Sequence, residues 1–316
     1  MQAKLWVLLG HKAGDNAQVL ALAEALGWPR EDKHIVAQPW EIVPHLLLGP
    51  TLAGIDRRRS SPLGPPWPDL VISAGRRNEP VARWIRAQAG GAVRLVHVGR
   101  PWAARGTFDL VVSTPQYFLP EASDVLVNPL PLHRITRERV DAAAARFAPR
   151  LGDLPRPLTT VLIGGDSGPF VLTPDKGRRL AAGVNALLRQ TGGAALVTGS
   201  RRTPEAAAEA VRAALDGPME THFGHDPDPD GENPYKAFLG LADRFVVTGE
   251  SMSMLAEAGS LGRPLYIFDP GDGPGPWWRH AHNFRSKPLS HALAMRLAPV
   301  RMRRDISRIQ SALVAE

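Results

Sequence analysis

The sequence predicts an α/β protein built as two Rossmann-like domains with mainly parallel sheets that face a central cleft. Three observations carry this expectation. Short apolar, β-branched runs alternate with helix-forming segments, the pattern of strand and crossover helix in a parallel sheet. The alternation stops at LGDLPRP, Leu151 to Pro157, where two prolines and a glycine break every periodicity, and then begins again. At 316 residues the chain is long for one core and comfortable for two. A first domain is expected over residues 1–150, a second over 151–290, and a terminal helical segment over 291–316.

In the first half, Leu5 to Leu9 reads as a buried strand, and GHKAGDNAQ leads into the helical pattern Val19, Leu20, Leu22, Ala23, Leu26, stopped by Gly27. Asp15 or Asn16 has the chemistry of that helix's N-cap. His34 to Ala37 is expected as the second strand and Asp69 to Ser73 as the third. Between them periodicity fails, and LLLGPTLAGIDRRRSSPLGPPWP sets apolar residues beside Arg57, Arg58 and Arg59. That juxtaposition suits either an anionic membrane surface or a helix and loop packed on the domain. Gly75 gives a turn, with a helix starting at Glu79 and Pro80. Leu95 to Val98, Asp109 to Ser113 and Val125 to Val127 complete the strands, and Arg137 to Ala148 is a helix.

The second half repeats the design. Thr159 to Ile163 is a strand, GGDSGPF a loop, Pro174 to Gln190 a helix, Ala194 to Val197 a strand and Pro204 to Leu215 a helix. Thr221 to Pro234 groups His and Asp, but its spacing fits no metal-ligand pattern and its prolines indicate an irregular loop, so no metal is expected. Phe245 to Thr248, Ser251 to Ser260 and Leu265 to Phe268 read as strand, helix and strand. In the tail, Ile306, Ile309 and Leu313 fall on one helical face.

Composition narrows function mainly by exclusion. Hydrophobic residues at 44% and charged residues at 22% describe a globular chain. The net charge of +7 comes mainly from arginine, whose forks suit phosphate, nucleic acid and anionic lipid alike, so charge selects no partner. With no cysteine there are no disulfides, thiolate metal sites or cysteine nucleophiles. No run approaches the ~20 apolar residues of a spanning helix, and the N-terminus lacks a signal-peptide pattern; the expected location is cytoplasmic, with peripheral contact at the inner face of the plasma membrane. No G-x-S-x-G elbow, nucleic-acid motif, dinucleotide fingerprint or Walker loop is present, and nucleic acid is not expected as a partner.

Four turns at the carboxyl ends of strands are the candidate binding elements. The second half supplies two. After Thr248, the residues Gly249, Glu250, Ser251, Met252 and Ser253 open a helix whose free N–H groups and dipole favour a phosphate, and Glu257, about two turns on, is placed to take ribose hydroxyls unless it is a solvated surface glutamate. In GGDSG, Gly165 permits close backbone approach, beside Ser167. Near these turns Ser200, Arg201 and Arg202 precede Pro204, so an arginine is expected to neutralise a diphosphate. The first half supplies GHKAGDN, where Asp15 is a candidate general base or a helix cap and His11 a second base, and AGRRN, with Gly75, Arg76 and Arg77.

The stretch VVTGESMSMLAEAGSLGRPLYIF resembles the nucleotide-sugar signature of GT-B glycosyltransferases. NPYKAFLGLADRFVVTGESMSMLAEAGSLGRPLYIF, together with SRRTP at Ser200 to Pro204, is similar to the family of the plant elongated-mitochondria fission factor and its bacterial homologues. The resemblance implies a GT-B-like fold, a last helix crossing back onto the N-terminal domain, and matching positions at Gly14, Asp15, Asn16 and Gln18. Gly14 is then expected with the nucleotide-sugar residues, and Asn16 and Gln18 with Gly75, Arg76 and Arg77 on the acceptor side. It further implies inverting, metal-independent glycosyl transfer from a UDP-sugar or other nucleoside-diphosphate sugar, without a cofactor. A nucleoside-diphosphate-sugar epimerase of the same fold and a non-catalytic, membrane-associated scaffold are the alternatives it leaves open.

Overall fold

The structure is a computed structural model that describes residues 3–315 except 42–48, 169, 225, 227–232, 277–278, 284–287 and 301–302. The chain divides into two compact units, the first comprising Met1–Arg134 with Ala298–Glu316 and the second Ile135–Leu297.

In the first unit the elements run β1 (Leu5–Leu9), α1 (Ala13–Leu26), β2 (Arg30–His34), β3 (Leu70–Ala74), α2 (Gly75–Gln88), β4 (Arg94–Val98), β5 (Leu110–Ser113) and β6 (Val125–Val127). The strands form one sheet in the order β2-β1-β3-β4-β5-β6, every pairing parallel. The central strands LWVLL and LVISA are buried throughout, as a sheet covered on both faces requires. Their two-residue period sorts the core into layers. Leu5, Val7 and Leu9 pack with Val19 and Ala23 of α1, whereas Trp6 and Leu8 pack with Val81 and Ile85 of α2.

Three local expectations shift here. The second strand lies at Arg30–His34 rather than His34 to Ala37, because β1 pairs with it from Leu5↔Arg30 to Leu9↔His34. Its sequence REDKH has no apolar run to reveal it; only Lys33 is buried, its ammonium 4.2 Å from the Trp6 ring. Helix α2 starts at Gly75, so Pro80 lies inside it rather than at its beginning. Neither Asp15 nor Asn16 caps α1: the N-cap is Lys12, and it makes no side-chain bond.

The chain's tail belongs to this unit. Asp305 N–H donates to the Gln116 carbonyl at 2.9 Å, Arg304 Nε to Gln116 Oε1 at 2.7 Å, and Arg308 lies 4.1 Å from the Phe118 ring centroid. The last helix, Ser307–Ala315, buries Ile309 completely.

The second unit contains α3 (Arg137–Phe147), β7 (Leu158–Ile163), α4 (Pro174–Thr191), β8 (Ala194–Gly199), α5 (Glu205–Ala214), β9 (Met219–His222), α6 (Tyr235–Leu241), β10 (Arg244–Thr248), α7 (Met252–Gly259), β11 (Leu265–Phe268) and α8 (Pro288–Leu297). Its sheet order is β11-β10-β7-β8-β9, again parallel throughout. Val161 and Ile163 face Leu180, Val184 and Val211 on α4 and α5, while Leu158 and Leu196 face Phe147 and Phe238. Those two phenylalanines meet edge to face at 5.6 Å, so α3 packs with the second unit although it lies within the 1–150 segment expected to form the first domain. The strand Met219–His222, at the start of the stretch read as irregular, is short and polar and carries no β signal of its own.

Two glycines in helices of this unit predict opposite effects. A Cβ at Gly240 in α6 would lie 2.3 Å from the Val140 carbonyl oxygen of α3, whereas at Gly183 in α4 it would meet nothing within 4 Å. We expect Gly240→Ala to lower thermal stability, by about 1–3 kcal/mol for an overpacked contact. Gly183→Ala should raise it by about 0.5–1 kcal/mol through helix propensity. Thermal melts of the two variants check the signs, and a neutral Gly240→Ala would mean that α3 does not sit on α6 this closely.

Candidate functional site

Each sheet has a point at which successive crossovers depart in opposite directions, the place where open α/β sheets bind ligands. In the first unit this point lies between β1 and β3, in the second between β7 and β10. The four turns singled out in the sequence are the four turns at these two points.

At the second unit's switch point, the turn after β10 holds the turn after β7. Glu250 is buried, and its Oε1 accepts the Gly165 N–H at 2.6 Å and the Thr248 hydroxyl at 3.0 Å; the same hydroxyl accepts the Gly164 N–H at 2.8 Å. The close fit demands glycine twice. A Cβ on Gly164 would lie 2.2 Å from Glu250 Oε1, and one on Gly165, whose φ is 127°, would lie 2.2 Å from the Arg202 carbonyl oxygen. Burial raises the Glu250 carboxyl above its usual range near 4.5, against the opposing pull of the Gly165 N–H. Glu250 therefore ties the turn after β10 to the turn after β7 through its side chain.

The SRRTP segment braces the same turn. Ser200 Oγ donates to the Gly164 carbonyl, Thr203 Oγ1 lies 3.0 Å from the Ile163 carbonyl and 2.8 Å from that of Gly164, and Arg202 Nη1 donates to the Asp166 carbonyl at 2.9 Å. Arg201 is exposed. Ser167 exchanges backbone bonds with Phe170 at 3.0 and 3.1 Å, and Asp166 accepts from Leu172 N–H and from the Asn283 amide. The following helix α7 has Ser251 at its N-cap with no side-chain bond; Ser251 and Met252 are buried at this dipole end and Ser253 is half-buried. Gly249 continues the sheet, its N–H on the Phe268 carbonyl at 2.8 Å. Glu257 is half-buried rather than a freely solvated surface glutamate: Tyr235 donates its hydroxyl to Glu257 Oε2, and burial raises both groups, the tyrosine strongly.

The first unit's switch point forms a hollow of about 110 Å³ that brings together His11, Asp15, Asn16, Gly75, Arg76 and Arg77. Asn16 clamps Gly10 twice, accepting its N–H and donating to its carbonyl, each at 2.8 Å, which explains why the residue does not cap α1. The Asp15 carboxylate lies against Gly75, where a Cβ would sit 2.7 Å from Oδ2 and where φ is 73°. Glu41, which no sequence periodicity marked, is buried and takes Arg76 at 2.6 Å and Arg77 at 2.9 Å on one oxygen. Arg77 also lies 3.0 Å from the His11 ring nitrogens. Burial first, then Arg77 and Lys12, hold His11 below its usual value of 6.5, so the imidazole is neutral at pH 7 and able to accept a proton.

Two candidates fall outside this hollow. Gly14 is in the first turn of α1 and accepts from Gln18 Nε2 at 3.5 Å, while Gln18 lines a separate small hollow with Ser113 and Leu132. The apolar stretch proposed to touch a membrane lies partly in residues 42–48, outside the described residues, and Leu52 and Ile55 are buried in the core; Arg57, Arg58 and Arg59 are exposed. In the loop read against a metal, Asp226 is taken by Arg212 through two 2.7 Å bonds. Among the described residues no helix is long and apolar enough to cross a membrane.

The raised Glu250 carboxyl carries a pH signature. A carboxyl whose folded pKa exceeds its unfolded value contributes stability fully present below the unfolded value near 4.5, lost as pH rises through the folded one. Glu250→Gln cannot ionise and keeps an acceptor for the Gly165 N–H. Its melting temperature relative to wild type should therefore rise from pH 4 to pH 8, and a constant difference across that range would contradict the assignment.

Comparison with known proteins follows this geometry. The profile described as mitochondrial fission ELM1 matches residues 13–304. The plant mitochondrial fission protein ELM1 of Arabidopsis thaliana is 27% identical over 222 residues, covering 63% of this chain and 51% of the relative, so the chain spans about half that relative's length. Protein RP120 of Rickettsia prowazekii is 24% identical over 303 residues, covering 84% of this chain and 83% of its own. Among solved structures, a glycosyltransferase from Rickettsia africae is similar over 99% of this chain and 94% of its own, at 10% identity and a TM-score of 0.45. The match across 13–304 includes both switch points, and the chain belongs to the mitochondrial fission ELM1 family.

Proposed function

We propose that this protein binds a nucleotide sugar, UDP-linked, at the β7/β10 switch point, and acts as an inverting, metal-independent glycosyltransferase of GT-B type. One observation carries the reading: Glu250 locks the turn after β10 to the glycine turn after β7 and sets beside them a helix end without a side-chain cap, with Glu257 farther along that helix. Such a helix end offers N–H donors to a diphosphate, while Glu257, released from Tyr235, accepts ribose hydroxyls. Arg201 adds positive charge where the leaving diphosphate gathers negative charge.

In this reading the first unit holds the acceptor. Asp15 takes the proton of the acceptor hydroxyl as its oxygen bonds to the anomeric carbon. The bond from that carbon to the diphosphate breaks on the opposite face, and UDP leaves with the electron pair. Neutral His11 is the second candidate base. The same reading places the protein in the cytoplasm, with Arg57, Arg58 and Arg59 toward anionic lipid at the inner face of the plasma membrane.

A thermal-shift and mass-spectrometric screen against nucleotide sugars tests the reaction class. Release of free UDP that requires an acceptor supports transfer, interconversion of sugars supports an epimerase, and absence of binding supports a scaffold. At the donor site, Glu257→Ala should weaken UDP binding roughly ten- to a hundredfold, the loss of one charge-assisted hydrogen bond worth about 1.5–3 kcal/mol. Unchanged affinity by calorimetry removes Glu257 from the ribose. At the acceptor side, Asp15→Asn preserves shape and, since Asp15 caps nothing, should leave the melting temperature intact while lowering turnover at least ~100-fold. Turnover retained in that variant would pass the base role to His11.

A further inference from the structure

The hollow at the first unit's switch point does not stand alone. Arg76, which lines it, lies with its guanidinium 5.2 Å from the centroid of the Trp102 ring. Trp102 in turn lines a second, larger cleft of about 310 Å³, walled mainly by Phe108, Val111, Leu119 and Val125, with Arg100, Arg105 and Asp124 also on its lining. This cleft has a structural origin. The connection from β4 to β5 contains no helix, and that from β5 to β6 only a single turn at Pro115–Tyr117, so loops lie where crossover helices would fill the space. The loop carrying Trp102 is fixed, not draped: buried Glu79 accepts the N–H groups of Trp102 at 2.7 Å and Ala103 at 2.8 Å. Past Val125 the apolar surface continues along edge strand β6, where Leu126 and Val127 are exposed.

The adjoining hollow has the opposite character. Lys12, Arg76 and Arg77 outnumber Asp15 on its lining, and the two arginines are held in place by Glu41. Helices α1 and α2 both begin there, and neither has a side-chain cap. A cationic socket joined through one Arg–Trp contact to an apolar cleft matches a molecule with the same two halves.

We propose that the first unit binds an anionic amphiphile, a phosphate ester whose head group sits among Lys12, Arg76 and Arg77 and whose apolar part lies along Trp102 and Leu119. The site stands on the geometry of this unit alone; only the further identification of its occupant as the acceptor rests on the transferase reading. The acceptor class would then be a lipid-like phosphate, which fits a chain expected to work against an anionic surface.

Calorimetric titration of the full chain with inorganic phosphate, hexyl phosphate, decyl phosphate and the neutral decyl maltoside, each below its micellar concentration, tests the proposal. Affinity should rise along the phosphate series, with decyl phosphate at least tenfold tighter than either inorganic phosphate or decyl maltoside. Trp102→Ala should flatten the chain-length dependence, and Arg77→Gln should erase the preference for phosphate over maltoside, with thermal melts showing that each variant is folded. Equal affinity for inorganic and decyl phosphate would identify a soluble phosphate as the ligand and overturn the amphiphile. Equal affinity for decyl maltoside, or a chain-length dependence that survives Trp102→Ala, would also overturn it, as would no binding. Because every titration omits nucleotide, failure of UDP binding at β7/β10 cannot be mistaken for failure here.

Discussion

Parallel pairing is the constraint on which the rest of this structure depends. Every strand pair in both sheets is parallel, so each strand ends at the same edge as its neighbours and each connection must return across a face. This buries the central strands on both sides and demands the largely apolar runs LWVLL, LVISA and LTTVLI, whose few hydroxyl residues are buried with them. It also collects the strand-to-helix turns, with their unbonded N–H groups, at the carboxyl edges. The strand order reverses between β1 and β3 and between β7 and β10, and the candidate turns GHKAGDN, AGRRN, GGDSG and TGES fall at those two points.

Buried carboxylates shape these edges. Glu250 holds Gly165, Glu79 holds the Trp102 loop and Glu41 gathers two arginines. A buried carboxylate is costly unless it is paired, and each of these is paired with backbone N–H groups or a guanidinium. The consequence for chemistry is a division of labour. The acids that face inward fix the turns, whereas the carboxylates of Asp15 and Glu257 sit at the edge of burial instead of beneath it. Family membership across residues 13–304 places both switch points within the shared region.

What could be read directly was whatever rests on local chemistry. The apolar runs of β1, β3, β7 and β10, the helical stretch from Pro174, and the turns GHKAGDN, AGRRN, GGDSG and TGES stand where the sequence put them, because burial and glycine geometry act over a few residues. The strand REDKH was hidden because an edge strand packed through one lysine on Trp6 needs no hydrophobic pattern. Pro80 has the look of a first-turn residue, yet α2 begins five residues earlier, at Gly75, directly after β3. Glu41 was invisible for a different reason: its partners Arg76 and Arg77 are 35 and 36 residues away in the chain.

By itself, then, the sequence determined two parallel α/β units, their strands and the four turns that carry polar and glycine residues, since these follow from period, burial and backbone freedom. Tertiary structure alone decided what the side chains in those turns do. It turned Glu250 inward onto Gly165, gave Glu257 to Tyr235, made Asn16 a clamp on Gly10, laid Asp15 against Gly75 and joined Arg76 to Trp102. The physical reason is that a hydrogen bond or ion pair is set by distances of about 3 Å between groups many residues apart. No local pattern encodes such a distance until the sheets bring the strands' ends together.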